Sequence, residues 1–107
     1  MFTIIEKSTF VDTDDLSNYY LEFKGRRIAF FAKIKKVSVK RFKIYVESCK
    51  GEMLINIPKK FKEQLEDLEL CLTQLDVKAI IEGEPYFCAF RGEVAVKKAE
   101  IKELSYS

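Results

Sequence analysis

Arg26-Arg27-Ile28-Ala29-Phe30-Phe31-Ala32-Lys33-Ile34-Lys35-Lys36-Val37-Ser38-Val39 is the stretch on which the fold turns. Ile28, Phe30, Ala32 and Ile34 recur at every second residue, the period of a strand with one buried face. Val37 and Val39 continue the alternation in the opposite phase. A slip of one residue sends every later side chain to the wrong face unless a bulge absorbs it, so the pattern predicts a bulge at Lys35 or Lys36. A bulge bends its strand, and a long bent strand can serve two sheets at once, as small barrels require.

Working outward, Phe42, Ile44 and Val46 predict a second strand after a tight turn at Lys40-Arg41. Met53, Ile55 and Ile57 predict a third after Cys49-Lys50-Gly51, and Pro58 ends the run. Over residues 59–74 the period lengthens: Phe61, Leu65, Leu68, Leu72 and Leu75 share one face of an amphipathic helix. Alternation returns at Val77, Ala79 and Ile81 and is expected to break at Gly83 and Pro85. Residues 86–90 extend that strand or form a hairpin arm before the Arg91-Gly92 turn. Val94 and Val96, then Ala99 and Ile101, predict a last strand with a second phase slip at Lys97-Lys98. Upstream, Asp12-Thr13-Asp14-Asp15 supplies helix-capping groups, and Leu16, Tyr19, Tyr20 and Phe23 follow at helical spacing before Gly25. This predicts a short helix over 13–24, preceded by a strand or arm over 2–10. The expected fold is mostly β, α+β by content. It is a single domain over 1–107, with a five-stranded closed or nearly closed barrel over about 26–104 and an N-terminal arm and helix over about 1–25.

At 107 residues and 48% hydrophobic content the chain has material for one core and no more. No apolar run is long enough to span a bilayer, and residues 1–7 do not resemble a secretory signal. Cys49, Cys71 and Cys88 are odd in number, lack C-x-x-C spacing and have no histidine to join them. They read as free thiols in a reducing compartment, which points to an intracellular protein, nuclear if the source is a eukaryote; no metal or cofactor is expected. The net charge of +2 conceals an asymmetry. Residues 1–23 carry one Lys/Arg and five Asp/Glu, residues 24–62 thirteen and two, and residues 63–107 five and ten; the balances are −4, +11 and −5. A basic surface flanked by acidic elements suits a polyanionic partner, unless the segments interleave in space and cancel.

The strand order, with one helix between the third and fourth strands and a bulged first strand, resembles the OB-fold. The stretch Leu16-Ser17-Asn18-Tyr19-Tyr20-Leu21-Glu22-Phe23-Lys24-Gly25-Arg26-Arg27-Ile28-Ala29-Phe30-Phe31-Ala32-Lys33-Ile34 is similar to the opening of the small subunits of replication protein A and of telomere-capping complexes. Arg91-Gly92-Glu93-Val94-Ala95-Val96 resembles the final hairpin of single-stranded-DNA-binding OB domains. Those small subunits usually carry a C-terminal assembly helix, and none is read here. The resemblance implies single-stranded DNA or RNA as partner, and a role in a DNA replication, repair or telomere-maintenance complex.

Single strands are held by cations that track phosphates and by rings that stack on bases. With Ile28, Phe30, Ala32 and Ile34 inside, Phe31, Lys33 and Lys35 point out. By the same logic Phe42, Ile44 and Val46 are inside and Lys43 and Tyr45 outside. OB domains bind on their second and third strands and the flanking loops. That adds Lys40, Arg41 and Lys50 at the rim, and Tyr86, Phe87, Phe90 and Arg91 from the segment between the last two strands. The plainer reading of Phe87 and Phe90 is ordinary core packing. Phe31, Leu54 and Ile80 form an apolar outer stripe, covered either by the N-terminal helix through Tyr19, Tyr20 and Phe23 or by a partner subunit. Catalysis is not expected: there is no histidine, serine elbow or glycine-rich phosphate loop, and the Glu82/Glu84 pair reads as solvated. The alternative to nucleic-acid binding is an adaptor whose barrel mainly contacts another protein.

Overall fold

The computed structural model describes residues 9–18 and 20–107. In chain order these form β1 (Thr9–Phe10), α1 (Thr13–Asn18), α2 (Tyr20–Phe23), β2 (Ile28–Ser38), β3 (Lys43–Ser48) and β4 (Gly51–Asn56). A 3₁₀ turn (Lys59–Phe61), α3 (Lys62–Cys71), β5 (Val77–Cys88) and β6 (Glu93–Tyr106) complete them. The molecule is mostly β: one mixed sheet of six strands in the order β1-β2-β3-β4-β6-β5, in which β2 also pairs with β5. That extra pairing joins five strands into a ring. Most of the expected arm lies outside the described residues, as does Tyr19; Thr9 and Phe10 pair in parallel with Ile28 and Ala29.

β2 makes the ring possible. Its first half, Ile28 to Lys33, pairs antiparallel with Gly83 to Lys78 of β5, and its second half pairs antiparallel with β3. Between the two the register shifts: Ile34 faces Val46 and Lys36 faces Tyr45, which leaves Lys35 as the bulge. Ile28, Phe30, Ala32, Ile34 and Val37 are all buried, so the slip keeps the apolar face inward on both sides of the bend. Phe42, expected on β3, instead closes the turn with φ +57 and stays partly buried against the core. A phenylalanine in this left-handed region is strained. It is fixed there by the Phe42 N–H donating to Val39 O (3.2 Å) and the Ile57 N–H donating to Phe42 O (2.9 Å).

β5 does not break at Gly83 and Pro85. It runs through both, because here glycine serves a close approach and not a turn. A Cβ at Gly83 would overlap Val96 Cγ1 and crowd Lys97 O and Ala99 Cα on β6. Glu82 pairs with Glu100 and Glu84 with Lys97, so β6 carries the extra residue, with Lys98 at φ +51. This is the phase slip anticipated at Lys97-Lys98. Arg27 braces it, donating from Nε to Glu82 Oε1 and from Nη1 to Lys98 O, each at 2.9 Å.

The seam between β4 and β6 is the weakest join, a single parallel pairing of Ile55 with Val96. On the chain between β4 and β5, α3 packs against the core through Leu65 and Leu68, both fully buried, with Phe61 and Leu72 partly buried beside them. Leu75 lies beyond the helix and is 42% exposed. On the N-terminal segment, Leu16 of α1 is buried and Phe23 of α2 packs on the core. Gly25 then turns the chain into β2 at φ +79. Removing the Leu68 side chain leaves a cavity in the core. Leu68→Ala is expected to lower unfolding free energy by about 2–5 kcal/mol in denaturant titrations, whereas Leu70→Ala, at an exposed position, should change it by less than about 0.5 kcal/mol.

Candidate functional site

A groove of about 460 Å³ runs between β3 and the tip of the β5–β6 hairpin, lined by Lys43, Tyr45, Leu54, Tyr86, Cys88, Phe90 and Arg91. Alternation explains its β3 wall: Ile44 and Val46 point into the core, so Lys43 and Tyr45 face out. The opposite wall is the hairpin, whose turn leaves Phe90 completely exposed. Arg91 is held back toward the strands, donating to Glu52 O (3.4 Å) and to Glu93 Oε2 (3.3 Å). Leu54 lies opposite Tyr45 on β4 and lines the groove between these walls.

Cations sit over the groove's rings. Lys36 Nζ lies 4.8 Å from the centroid of the Tyr45 ring, Arg91 Cζ 5.6 Å from the same ring, and Lys97 Nζ 5.7 Å from that of Tyr86. Lys36 also lines a neighbouring depression with Lys40, Lys62 and Glu69. A basic track thus leads from the turn before β3, past Tyr45, into the groove.

Asn56, at the end of β4, ties that strand to the hairpin wall. Its Nδ2 donates to Tyr86 Oη (2.8 Å) and to Val96 O (3.1 Å), spanning the seam where β4 and β6 share one backbone pairing. Burial pushes the Tyr86 phenol above its ordinary pKa, outweighing the lowering effect of the Asn56 hydrogen bond, so the hydroxyl keeps its proton at neutral pH.

Of the residues singled out from sequence, Lys43, Tyr45, Tyr86, Phe90 and Arg91 come together in this groove. The others do not line it. Lys40 and Arg41 are exposed in the β2–β3 turn, with Lys40 at the depression beside the groove. Lys35 is the bulge residue, and its neighbour Lys36, overlooked in the sequence, takes the place over Tyr45. Lys33 belongs to the half of β2 paired with β5 and lies 3.9 Å from Asp76. Phe87 and Lys50 line a separate hollow of about 380 Å³ with Tyr20 and Leu21. Phe87 lies between Tyr86 and Cys88 on the strand and so projects from the face opposite to theirs.

The expected apolar stripe is not continuous. Leu54 is only 4% exposed, Ile80 is half-buried opposite Phe31, and Phe31 remains half exposed beside a depression shared with Phe10, Val11 and Asp12. Tyr20 and Phe23 of α2 pack against the core cluster. Among the described residues, no group of three or more Cys, Asp or Glu is placed to hold a metal ion, and no helix is long and apolar enough to cross a membrane. Comparison of the chain with protein-family models, with curated proteins and with solved structures gave no match in any of the three.

Asn56→Ala removes both side-chain bonds from β4 to the β5–β6 hairpin, to Tyr86 on β5 and to Val96 on β6. It should lower stability by about 1–3 kcal/mol and speed amide exchange at Val96 and its neighbours relative to the β2–β5 ladder.

Proposed function

We propose that this protein is an OB-type module that binds single-stranded DNA or RNA in the groove between β3 and the β5–β6 hairpin, without catalysis. The observation that carries this reading is convergence. Cations and rings about forty residues apart in sequence, from β3 and the hairpin, line one open groove, and Lys36 from β2 extends it into a basic track. The ring order of the five strands, with α3 between the third and fourth of them, supports the OB reading. OB domains use their second and third strands and the loops after the first and fourth strands for oligonucleotides, which here correspond to β3, β4, residues 39–42 and residues 89–92.

The energetics favour stacking over the resting contacts. A cation over an exposed ring contributes about 0.5–1 kcal/mol, whereas a base stacked on an aromatic ring contributes about 1–3 kcal/mol. An incoming base can therefore displace Lys36 or Arg91 from Tyr45, and the displaced cation is then free to meet a phosphate. Among the described residues no cation lies over the Phe90 ring. A duplex hides its bases and offers only its phosphates to the same surface. Membership of a genome-maintenance complex belongs to this proposal as well. A second reading, an adaptor that docks on another protein, has its support in the half-exposed Phe31 beside the more exposed Phe10, away from the groove.

Titration of labelled single- and double-stranded oligonucleotides at several salt concentrations separates the two. On a single strand, log affinity should fall with log salt by about 0.7 per neutralised phosphate. Lys36→Ala with Lys43→Ala should flatten that slope by about one to two units. Tyr45→Ala should weaken binding by about 1–3 kcal/mol with little change in slope. Equal affinity for duplex and single strand, indifferent to Tyr45→Ala, contradicts the stacking mechanism and favours the adaptor.

A further inference from the structure

The Asn56–Tyr86 pair has a directional consequence. Val96 O can only accept, so the Asn56 amide must present its nitrogen to this side, and the same Nδ2 donates to Tyr86 Oη. The phenol oxygen is thereby used as an acceptor. Its own proton has to point elsewhere, into the groove that Tyr86 lines, where the Cys88 thiol is its partner within the protein, a weak acceptor that a carbonyl oxygen can displace. The charged groups there, Lys43 and Arg91, have only donors.

On this basis we propose that Tyr86, oriented by Asn56, reads the edge of a bound base as a fixed hydrogen-bond donor and makes the groove prefer keto bases over amino bases. The inference rests on the nucleic-acid reading of the groove. With the sugar–phosphate chain along Lys36 and Lys43, the base edge furthest from the sugar faces the hairpin wall that carries Tyr86. Uracil, thymine, guanine and hypoxanthine offer a carbonyl oxygen there, which accepts the proton. Cytosine and adenine offer an amino group, and two donors then face each other with neither satisfied. Asn56 is a positioning residue in this scheme: it touches no base and acts by occupying the phenol's acceptor site.

The test compares labelled oligo(dU) with oligo(dC), and an adenine-containing strand with the same strand carrying hypoxanthine, by fluorescence anisotropy. Each pair changes the ring mainly at the edge in question. The unmodified protein should favour the keto member by about fivefold, the ratio typical of one hydrogen bond gained or lost. Tyr86→Phe keeps the ring and removes the proton, and should bring the ratio to twofold or less. Asn56→Asp places an acceptor beside the phenol, draws the proton away from the groove and should reduce the ratio likewise; a thermal unfolding curve checks that this variant is folded. Phe87→Ala, outside the groove, should keep the ratio. If Tyr86→Phe weakens keto and amino strands equally, the hydroxyl holds a phosphate and the inference is overturned. An unchanged ratio in Tyr86→Phe overturns it too, while leaving the groove as a binding site. Failure of every oligonucleotide to bind overturns the nucleic-acid reading and this inference with it.

Discussion

One unpaired residue, Lys35, lets an eleven-residue strand belong to two ladders. Without the slip, the apolar side chains that follow Ile34 would turn to solvent, and β2 could not keep β5 beside its first half while meeting β3 with its second. The ring closes only because the strand bends at that point. The site depends on the same bend. By absorbing one residue, the bulge places Lys36 opposite Tyr45, so the feature that closes the fold also sets the first cation of the basic track.

Closure elsewhere is uneven, and the unevenness falls at the groove. The β5–β6 and β2–β5 ladders are long, whereas β4 meets β6 at one residue pair and leaves the rest to Asn56. A short parallel contact exposes backbone groups that a full ladder would satisfy, and a side-chain amide is one way to meet them. Using that amide as the seal also fixes the orientation of Tyr86. The structural seal and the proposed base recognition therefore meet in one side chain. The hairpin tip beyond the seam carries Phe90 into solvent, where burial cannot explain a bare ring.

Much of this was legible in the alternation of apolar residues. The bulge in β2, the slip at Lys97-Lys98, and the helix face bearing Leu65 and Leu68 follow from periodicity alone, because burial enforces period and phase. The groove residues Lys43 and Tyr45 follow from the same alternation. What escaped was set by contacts distant in sequence. Gly83 looks like a strand breaker until Val96 is seen against it, and Leu54 looks exposed until Tyr45 and the hairpin flank it. Phe87 stands beside Tyr86 and near Phe90 in sequence, yet adjacent residues on a strand face opposite ways, and that rule separates it from them. Lys36 was hidden because the exact bulge residue decides which of two lysines faces Tyr45. The positive φ at Phe42 carries no compositional signal, since glycine or asparagine would be the usual choice there.

In the proposed mode of binding, one groove, built from β3 and the β5–β6 hairpin, receives a single strand while the other exposed apolar surfaces do not. The most direct measurement is amide and side-chain NMR shift mapping during titration with a short single-stranded oligonucleotide. The largest changes are expected on Lys36, Lys43, Tyr45, Tyr86, Phe90 and Arg91, with Phe31, Leu21 and Phe87 little affected. Shifts centred on Phe10 and Phe31, or on Leu21 and Phe87, with the groove silent would contradict it.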